Sequence, residues 1–122
     1  MGPTELTVLS LSSDHEKAGR RVEVLKQNGF EVRSVNSPIQ AQFEIEMGQC
    51  GIFVTCPVVS EMTTADLVRV FRRYCPDGIV VFIKSDRRGT IQAEIILEES
   101  NDPALLADAI LTHFRDQDIL AG

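Results

Sequence analysis

Several residue types that mark particular functions are scarce or absent in this chain of 122 residues. There is no tryptophan and a single tyrosine, Tyr74, so no aromatic clamp for a flavin ring is evident. No apolar run approaches the roughly 20 residues that a transmembrane helix needs. The first residues lack the basic and apolar segments of a secretory signal, so we expect no export by that route.

Cysteine is also scarce, and its spacing fits neither a disulfide framework nor a zinc site. The three residues are Cys50, Cys56 and Cys75, an odd number with no pair separated by two residues. We therefore expect reduced thiols in a cytoplasmic protein.

Positive charge is in deficit, with 12 Lys+Arg against 18 Asp+Glu and a formal net charge of -6. Nucleic acid binding requires clustered cations, so nucleic acid is excluded as the main partner. The short basic pairs Arg20-Arg21, Arg72-Arg73 and Arg87-Arg88 are predicted to be solvated helix faces or loops. No phosphate-binding loop or dinucleotide fingerprint occurs.

What is present is an alternation of short apolar runs with amphipathic segments. The apolar runs predict strands at 6–11, 30–35, 52–56, 79–83 and 93–97. Helix starts are predicted at Asp14, at Ser37-Pro38, at Thr63 or Thr64, and at Asp102-Pro103. The residues predicted to face the core are Ala18, Val22 and Leu25 in the first helix, Leu67, Val68, Phe71 and Tyr74 or Cys75 in the third, and Leu105, Leu106, Ala109, Ile110 and Phe114 in the last.

This order of elements predicts one domain over residues 1–122, an α/β fold with a parallel sheet covered by helices on both faces. One connection is too short for the pattern. About nine residues, 84–92, separate the last two predicted strands, whereas a parallel crossover usually takes a dozen or more. The fourth crossover helix is therefore predicted to be missing, or reduced to a loop or a single turn.

Four segments carry a resemblance to a known family: the polar triplet Ser12-Ser13-Asp14 after the first strand, NGFEV at 28–32, DLVRVFRRYCPDGIVVFI at 66–83 and ESNDPALLADAI at 99–110. Over residues 7–114 the chain resembles the receiver domains of bacterial response regulators. The resemblance implies a flavodoxin-like, three-layer α/β/α sandwich whose five-stranded, mainly parallel sheet has the order 2-1-3-4-5. It also implies a role in two-component signal transduction.

The resemblance fails at the residues that carry phosphotransfer. In active receivers, acids after the first strand hold Mg²⁺, an aspartate after the third accepts the phosphoryl group, and a hydroxyl and a lysine after the fourth and fifth bind its oxygens. Matched by position, the acid pair corresponds to Ser12 and Ser13, with Asp14 just beyond. The phosphoryl acceptor corresponds to Cys56 or, one residue earlier, to Thr55. The hydroxyl corresponds to a position near Lys84 or Ser85, and the lysine corresponds to Glu98 or Glu99. Magnesium prefers carboxylates, so the chemistry is predicted to be lost.

The resemblance therefore implies a degenerate receiver, or pseudo-receiver, that binds protein partners without phosphorylation, catalyses no reaction and needs no cofactor. Lys84 and Glu98 either form an ion pair that fixes one conformation or are separate residues at the rim. Without the crossover helix, strand 93–97 would be an uncovered edge. We therefore expect a homodimer through this edge strand or the last helix.

Cys56 supports a competing hypothesis, a small thiol-dependent enzyme. It follows a central strand, at the edge where α/β sheets bind ligands. A nucleophilic cysteine needs a lowered pKa, for which His15 is the candidate neighbour. Core packing is the commoner use of a cysteine, and it is the interpretation we favour.

Overall fold

A computed structural model describes residues 7–12, 14–48, 50–55, 61–84, 93–98, 102 and 104–121, with the side chains of 61–62 and 116–121 left out. The strands are β1 (Thr7–Leu11), β2 (Glu31–Val35), β3 (Ile52–Thr55), β4 (Ile79–Lys84) and β5 (Ile95–Glu98). The helices are α1 (His15–Gln27), α2 (Pro38–Glu46), α3 (Glu61–Tyr74) and α4 (Ala104–Ala121). Over the described ranges, no helix combines the length and the apolar character needed to cross a membrane.

The five strands form one sheet in the order β2-β1-β3-β4-β5. All four neighbouring pairs are parallel, which confirms the predicted fold class and shows that the last pair is parallel too. Residues 85–92 of the β4–β5 connection lie outside the described residues, and the prediction of a missing or reduced helix falls on them. Ala93 and Glu94, which complete the connection, are not helical.

Two apolar layers enclose the sheet, because successive side chains of each strand point to opposite faces. The layer on the side of α1 and α4 contains Val8, Leu25, Phe30, Ile52, Val54, Ile79, Val81, Ile83, Leu106, Ala107 and Ile110. The layer on the side of α2 and α3 contains Leu9, Leu11, Ala41, Ile45, Cys50, Phe53, Leu67, Val68, Phe71, Val80 and Phe82. The result is the three-layer arrangement expected of an α/β/α sandwich.

The predicted start of α3 was wrong. The helix begins at Glu61, so Thr63 and Thr64 lie inside its first turn rather than at its N-cap. Thr64 is buried, and it precedes the buried Leu67 by three residues. The inward stripe of the helix therefore extends one turn further toward the N-terminus than the apolar residues alone indicated.

Two predicted inner faces also need correction. In α1, Arg21 is buried with Ala18 and Leu25, whereas Val22 is only half-buried. In α4, Leu105 was predicted to face the core, yet it is half-exposed. Of the alternatives Tyr74 and Cys75 at the end of α3, Cys75 packs against the core and Tyr74 does not. A helix rotates by about 100° per residue, so a one-residue error in the stripe turns a side chain from the core to solvent.

The Glu94 carboxylate, directly before β5, connects that strand to helix α3 and strand β4 through hydrogen bonds. Glu94 accepts hydrogen bonds from Arg72 of α3, with Nη1 2.9 Å from Oε2 and Nη2 3.3 Å from Oε1. Its Oε1 also accepts the backbone N–H of Val80 in β4 at 2.8 Å. Burial raises the pKa of Glu94, but the hydrogen bonds from Arg72 and Val80 outweigh it and hold this pKa below its ordinary 4.5.

The substitution Glu94→Gln is expected to lower the free energy of unfolding by about 1 kcal/mol near neutral pH. Because the folded-state pKa is lowered, the carboxylate contributes stability above its ordinary pKa and loses it as pH falls through the folded value. The difference from wild type should therefore shrink in strong acid, as measured by urea unfolding at both pH values. Asp66→Asn, which breaks the exposed Arg69–Asp66 pair, is the control and should cost little. An equal loss at both pH values would contradict this account.

Candidate functional site

The C-terminal ends of β1, β3, β4 and β5 meet at one edge of the sheet, beside the N-terminus of α1, because all the strands are parallel. Ligands of open α/β sheets bind at such an edge. Of the residues predicted to form the site, those described are Ser12, Asp14, Thr55, Lys84 and Glu98. The others, Ser13, Cys56, Ser85 and Glu99, lie outside the described residues.

Ser12 and Asp14 are engaged in building the turn between β1 and α1. Ser12 is buried, and its Oγ accepts the backbone N–H of Asp14 at 3.2 Å. The Oδ1 atom of Asp14 accepts the N–H groups of Glu16 at 3.0 Å and Lys17 at 3.1 Å, so Asp14 is the N-cap of α1, as predicted. The hydrogen bond from the Lys17 amide, followed by that from Glu16, holds the pKa of the Asp14 carboxyl below its usual value.

Thr55, the last residue of β3, is completely buried. Its register neighbours are Leu11 in β1 and Phe82 in β4, which are both apolar. The Thr55 Oγ1 atom has no hydrogen-bond partner. A phosphate donor in solvent therefore has no access to this hydroxyl while the sheet is intact, and the hydroxyl carries a desolvation cost without compensation.

Lys84 and Glu98 are register partners on the neighbouring strands β4 and β5. Paired residues of parallel strands point to the same face of the sheet, so the two side chains lie side by side at the rim. Lys84 is half-buried and Glu98 is exposed. The ion pairs found between described side chains do not include this one, so the two residues stand as separate charges at the rim.

These donors do not fit the magnesium ion that the receiver resemblance implies. Mg²⁺ is bound by oxygen ligands that include one or two carboxylates. At the end of β1 the chain supplies serines and Asp14, whose Oδ1 already accepts two amide hydrogens, and the Thr55 hydroxyl is closed to solvent. Nowhere in the described part of the chain do three or more His, Cys, Asp or Glu residues cluster as metal ligands would.

Arg21 is a charged residue near this edge that the sequence analysis missed. It was predicted to be part of a solvated basic pair, but only 6% of its surface is exposed. Its Nη1 atom has no hydrogen-bond partner, and its charge helps to lower the pKa of Asp14, after the larger effect of the hydrogen bond from Lys17. The spacing of Arg21 from Ala18 and Leu25 on α1 was the signal that could have placed it inside.

The described cysteines lie at the opposite end of the sheet. Cys50 and Cys75, with His113, line an open cleft of about 460 Å³. Burial raises the pKa of the Cys50 thiol to about 11, and burial raises the pKa of Cys75 as well. A nucleophilic cysteine needs the opposite shift. The thiol-enzyme hypothesis therefore depends on Cys56 alone.

Comparison with solved structures finds the same fold in receiver domains. A response regulator receiver protein from Sinorhizobium medicae is 22% identical, with a TM-score of 0.73 over 88% of this chain and 92% of its own. A receiver domain protein from Methanospirillum hungatei is 13% identical, with a TM-score of 0.79 over 92% and 95%. A chemotaxis response regulator of Vibrio cholerae is 13% identical, with a TM-score of 0.76 over 87% and 96%.

The likeness to these proteins is one of structure. No family model matches the sequence, and no curated protein matches it either. At these identities the comparison shows that the chain has the receiver fold, as the sequence pattern predicted.

The capping role of Asp14 predicts different effects for two substitutions. Asp14→Ala should lower the thermal unfolding midpoint, whereas Asp14→Asn should preserve most of it, because asparagine is an equally good N-cap. Millimolar Mg²⁺ should leave the wild-type midpoint unchanged, since ligands that bind the native state raise it. Differential scanning calorimetry measures all three. A midpoint that Mg²⁺ raises in wild type but not in Asp14→Asn would show that the carboxylate binds metal.

The unpartnered Thr55 hydroxyl predicts a stabilising substitution. Thr55→Val replaces a buried hydroxyl by a methyl group of similar shape, and should raise the free energy of unfolding by about 1 kcal/mol or more. Urea unfolding of the two proteins gives the difference. A destabilisation would mean that the hydroxyl has a partner in solution, such as a buried water molecule.

Proposed function

We propose that this chain is a degenerate receiver, a single domain over residues 1–122 that acts in the cytoplasm in bacterial two-component-type signal transduction. It would work by binding a protein partner, independently of phosphorylation and without catalysing a reaction. The shared fold of the receiver proteins described above supports this class of function. The altered residues at the C-terminal edge of the sheet support the loss of phosphotransfer.

The observation that carries the proposal is the position of Asp14. It is the one acid that the sequence retains at the end of β1, and its Oδ1 caps α1 through Glu16 and Lys17. With Oδ1 engaged in the cap, only Oδ2 remains for a metal ion, and a single monodentate carboxylate beside serines makes a poor Mg²⁺ site. A structural role for the remaining acid is what we expect when the metal site is no longer used.

The other matched positions agree with this proposal. Cys56 and Ser13 provide a thiol and a hydroxyl where active receivers have carboxylates, and an acyl phosphate requires a carboxylate. Glu98 lies beside Lys84 in the register of the sheet, near the position that the resemblance gives to the phosphate-binding lysine. A carboxylate there would repel a phosphoryl group and reduce the attraction of the lysine for it.

The surface around β5 is where we propose that a partner binds. β5 is an edge strand, hydrogen-bonded on one side to β4, and such an edge can pair with another chain. The exposed large apolar side chains here are Ile96 on β5 and Leu105 on α4, both half-exposed. The homodimer expected from the sequence, through strand 93–97 or the last helix, would compete with such a partner for this surface, and we assign the surface to the partner.

The direct test is phosphorylation with acetyl phosphate and Mg²⁺, followed by intact-mass measurement. We expect no mass increase of one phosphoryl group, and no structural response to beryllofluoride with Mg²⁺ in NMR spectra. A response regulator protein from Burkholderia pseudomallei, whose crystal structure contains a phosphorylated aspartic acid, is treated in parallel as the positive control for the conditions. Phosphorylation of the wild-type chain at a stoichiometric level would refute the proposal.

A restored variant tests the physical reason for the loss. The substitutions Ser13→Asp and Cys56→Asp return carboxylates to the matched positions while leaving the Asp14 cap intact. We expect this variant to bind Mg²⁺ at millimolar concentration, seen as a shift of the unfolding midpoint, where the wild type does not. If it gains no Mg²⁺ binding, the missing carboxylates are not the cause, and the assignment of these two positions is wrong.

A further inference from the structure

Helix α2 is apolar on two opposite faces. Ala41 and Ile45 are completely buried against the sheet. On the other side, Ile39 is 83% exposed, Phe43 61% and Met47 52%. We call Ile39, Phe43 and Met47, the C-cap residue that directly follows the helix, the outer stripe of α2. The two faces are about half a turn apart, since residues repeat at about 100°.

The outer stripe is a patch and not a set of scattered side chains. Six large apolar side chains are exposed among the described residues, and three of them belong to this stripe. Single exposed apolar residues are ordinary, whereas contiguous ones mark interaction sites. A helix with apolar residues on both faces is normally packed on both faces.

We propose that the outer stripe is the interface with a second copy of this chain, in which two α2 helices pack antiparallel around a two-fold axis beside Phe43. A two-fold interface must be complementary to itself. The stripe meets this condition, because its three residues are spaced evenly about Phe43, and Ile39 of each copy would lie against Met47 of the other. Rows of side chains four residues apart also form the ridges of the commonest helix packing in globular proteins.

The charges of α2 favour the antiparallel arrangement. The helix has no acidic residue in its first turn and no basic residue in its last turn, although Glu44 and Glu46 lie at its C-terminal end. This is the reverse of what the helix dipole favours. Arg33 offsets Glu44 through an ion pair of 3.2 Å, while Glu46 accepts a hydrogen bond from the neutral Gln42 at 3.1 Å.

In an antiparallel pair the negative charge of Glu46 would instead be stabilised by the second copy. Glu46 lies three residues, or nearly one turn, from Phe43, and it would sit beside the first turn of the second copy's α2, near Ile39. That end of a helix carries the positive pole of the dipole. In a parallel pair the two Glu46 side chains would lie together and repel. The inference does not depend on the proposed function, because it concerns α2 and leaves the surface around β5 to a signalling partner.

The first experiment is analytical ultracentrifugation of the full chain over a wide range of concentration. Three large side chains per copy make an interface below about 1,200 Å², so we expect a weak dimer that forms at high concentration. Phe43→Asp should weaken dimerisation at least about tenfold, as the central residue of a small interface. Leu105→Glu, a similarly exposed apolar residue on α4, is the matched control and should leave dimerisation unchanged.

A second pair of variants tests the antiparallel register. Ile39→Asp and Ile39→Lys lose the same apolar side chain, but the lysine would face Glu46 of the second copy and the aspartate would repel it. Ile39→Lys should therefore dimerise more tightly than Ile39→Asp. The difference should shrink in a Glu46→Gln background, which separates the local pair from the change in net charge. Circular dichroism of each variant checks that α2 remains folded.

Two results would overturn the inference. A wild-type chain that stays monomeric at every concentration has no second copy on α2. A dimer that Leu105→Glu dissociates and Phe43→Asp does not would place self-association on α4. Either result leaves the phosphorylation test of the proposed function unaffected, so the two proposals can fail separately.

Discussion

The central strands β1, β3 and β4 are covered on both faces by apolar layers, and the rest of the structure depends on that double burial. Covering both faces of a parallel sheet requires helices on each side, which right-handed crossovers supply. The same connectivity brings the C-terminal ends of the strands to one edge. The candidate site is therefore a consequence of the core packing: it lies where the strands end, whatever residues occupy it. The same fold can therefore carry different residues at this edge.

Polar residues at that edge stabilise the fold through hydrogen bonds and burial, and this supports the proposed loss of phosphotransfer. Ser12 and Asp14 satisfy backbone N–H groups at the start of α1. Thr55 is closed within the sheet, between two apolar register neighbours. At the other end of β5, Glu94 connects α3 and β4. A carboxylate that caps a helix or joins two elements stabilises the fold, and it is correspondingly less available to a metal ion.

The uncovered apolar side chains lie on both sides of the molecule rather than in the site. The two edge strands differ, since exposed Glu31, Arg33 and Ser34 make β2 polar, whereas β5 presents Ile96. Next to the polar edge, α2 carries its outer stripe of apolar residues. Under the proposed function, the domain acts through such surfaces. The proposed partner surface around β5 and the proposed dimer surface on α2 would allow one copy to engage both kinds of neighbour.

The sequence by itself determined the alternation of strands and helices, the parallel sheet and the cap at Asp14, because these follow from local periodicity and capping preference. The match of residues to the phosphotransfer set remains a prediction, and four of those residues, Ser13, Cys56, Ser85 and Glu99, lie outside the described part of the chain. Only the tertiary structure decided the precise rotation of each helix against the sheet. Periodicity defines a stripe to within about one residue, and the packing of neighbouring elements sets the rotation. Neighbouring elements therefore bury Arg21 and leave Leu105 half-exposed. They also bury Ala41 and Ile45 against the sheet, which leaves the opposite apolar face of α2 uncovered.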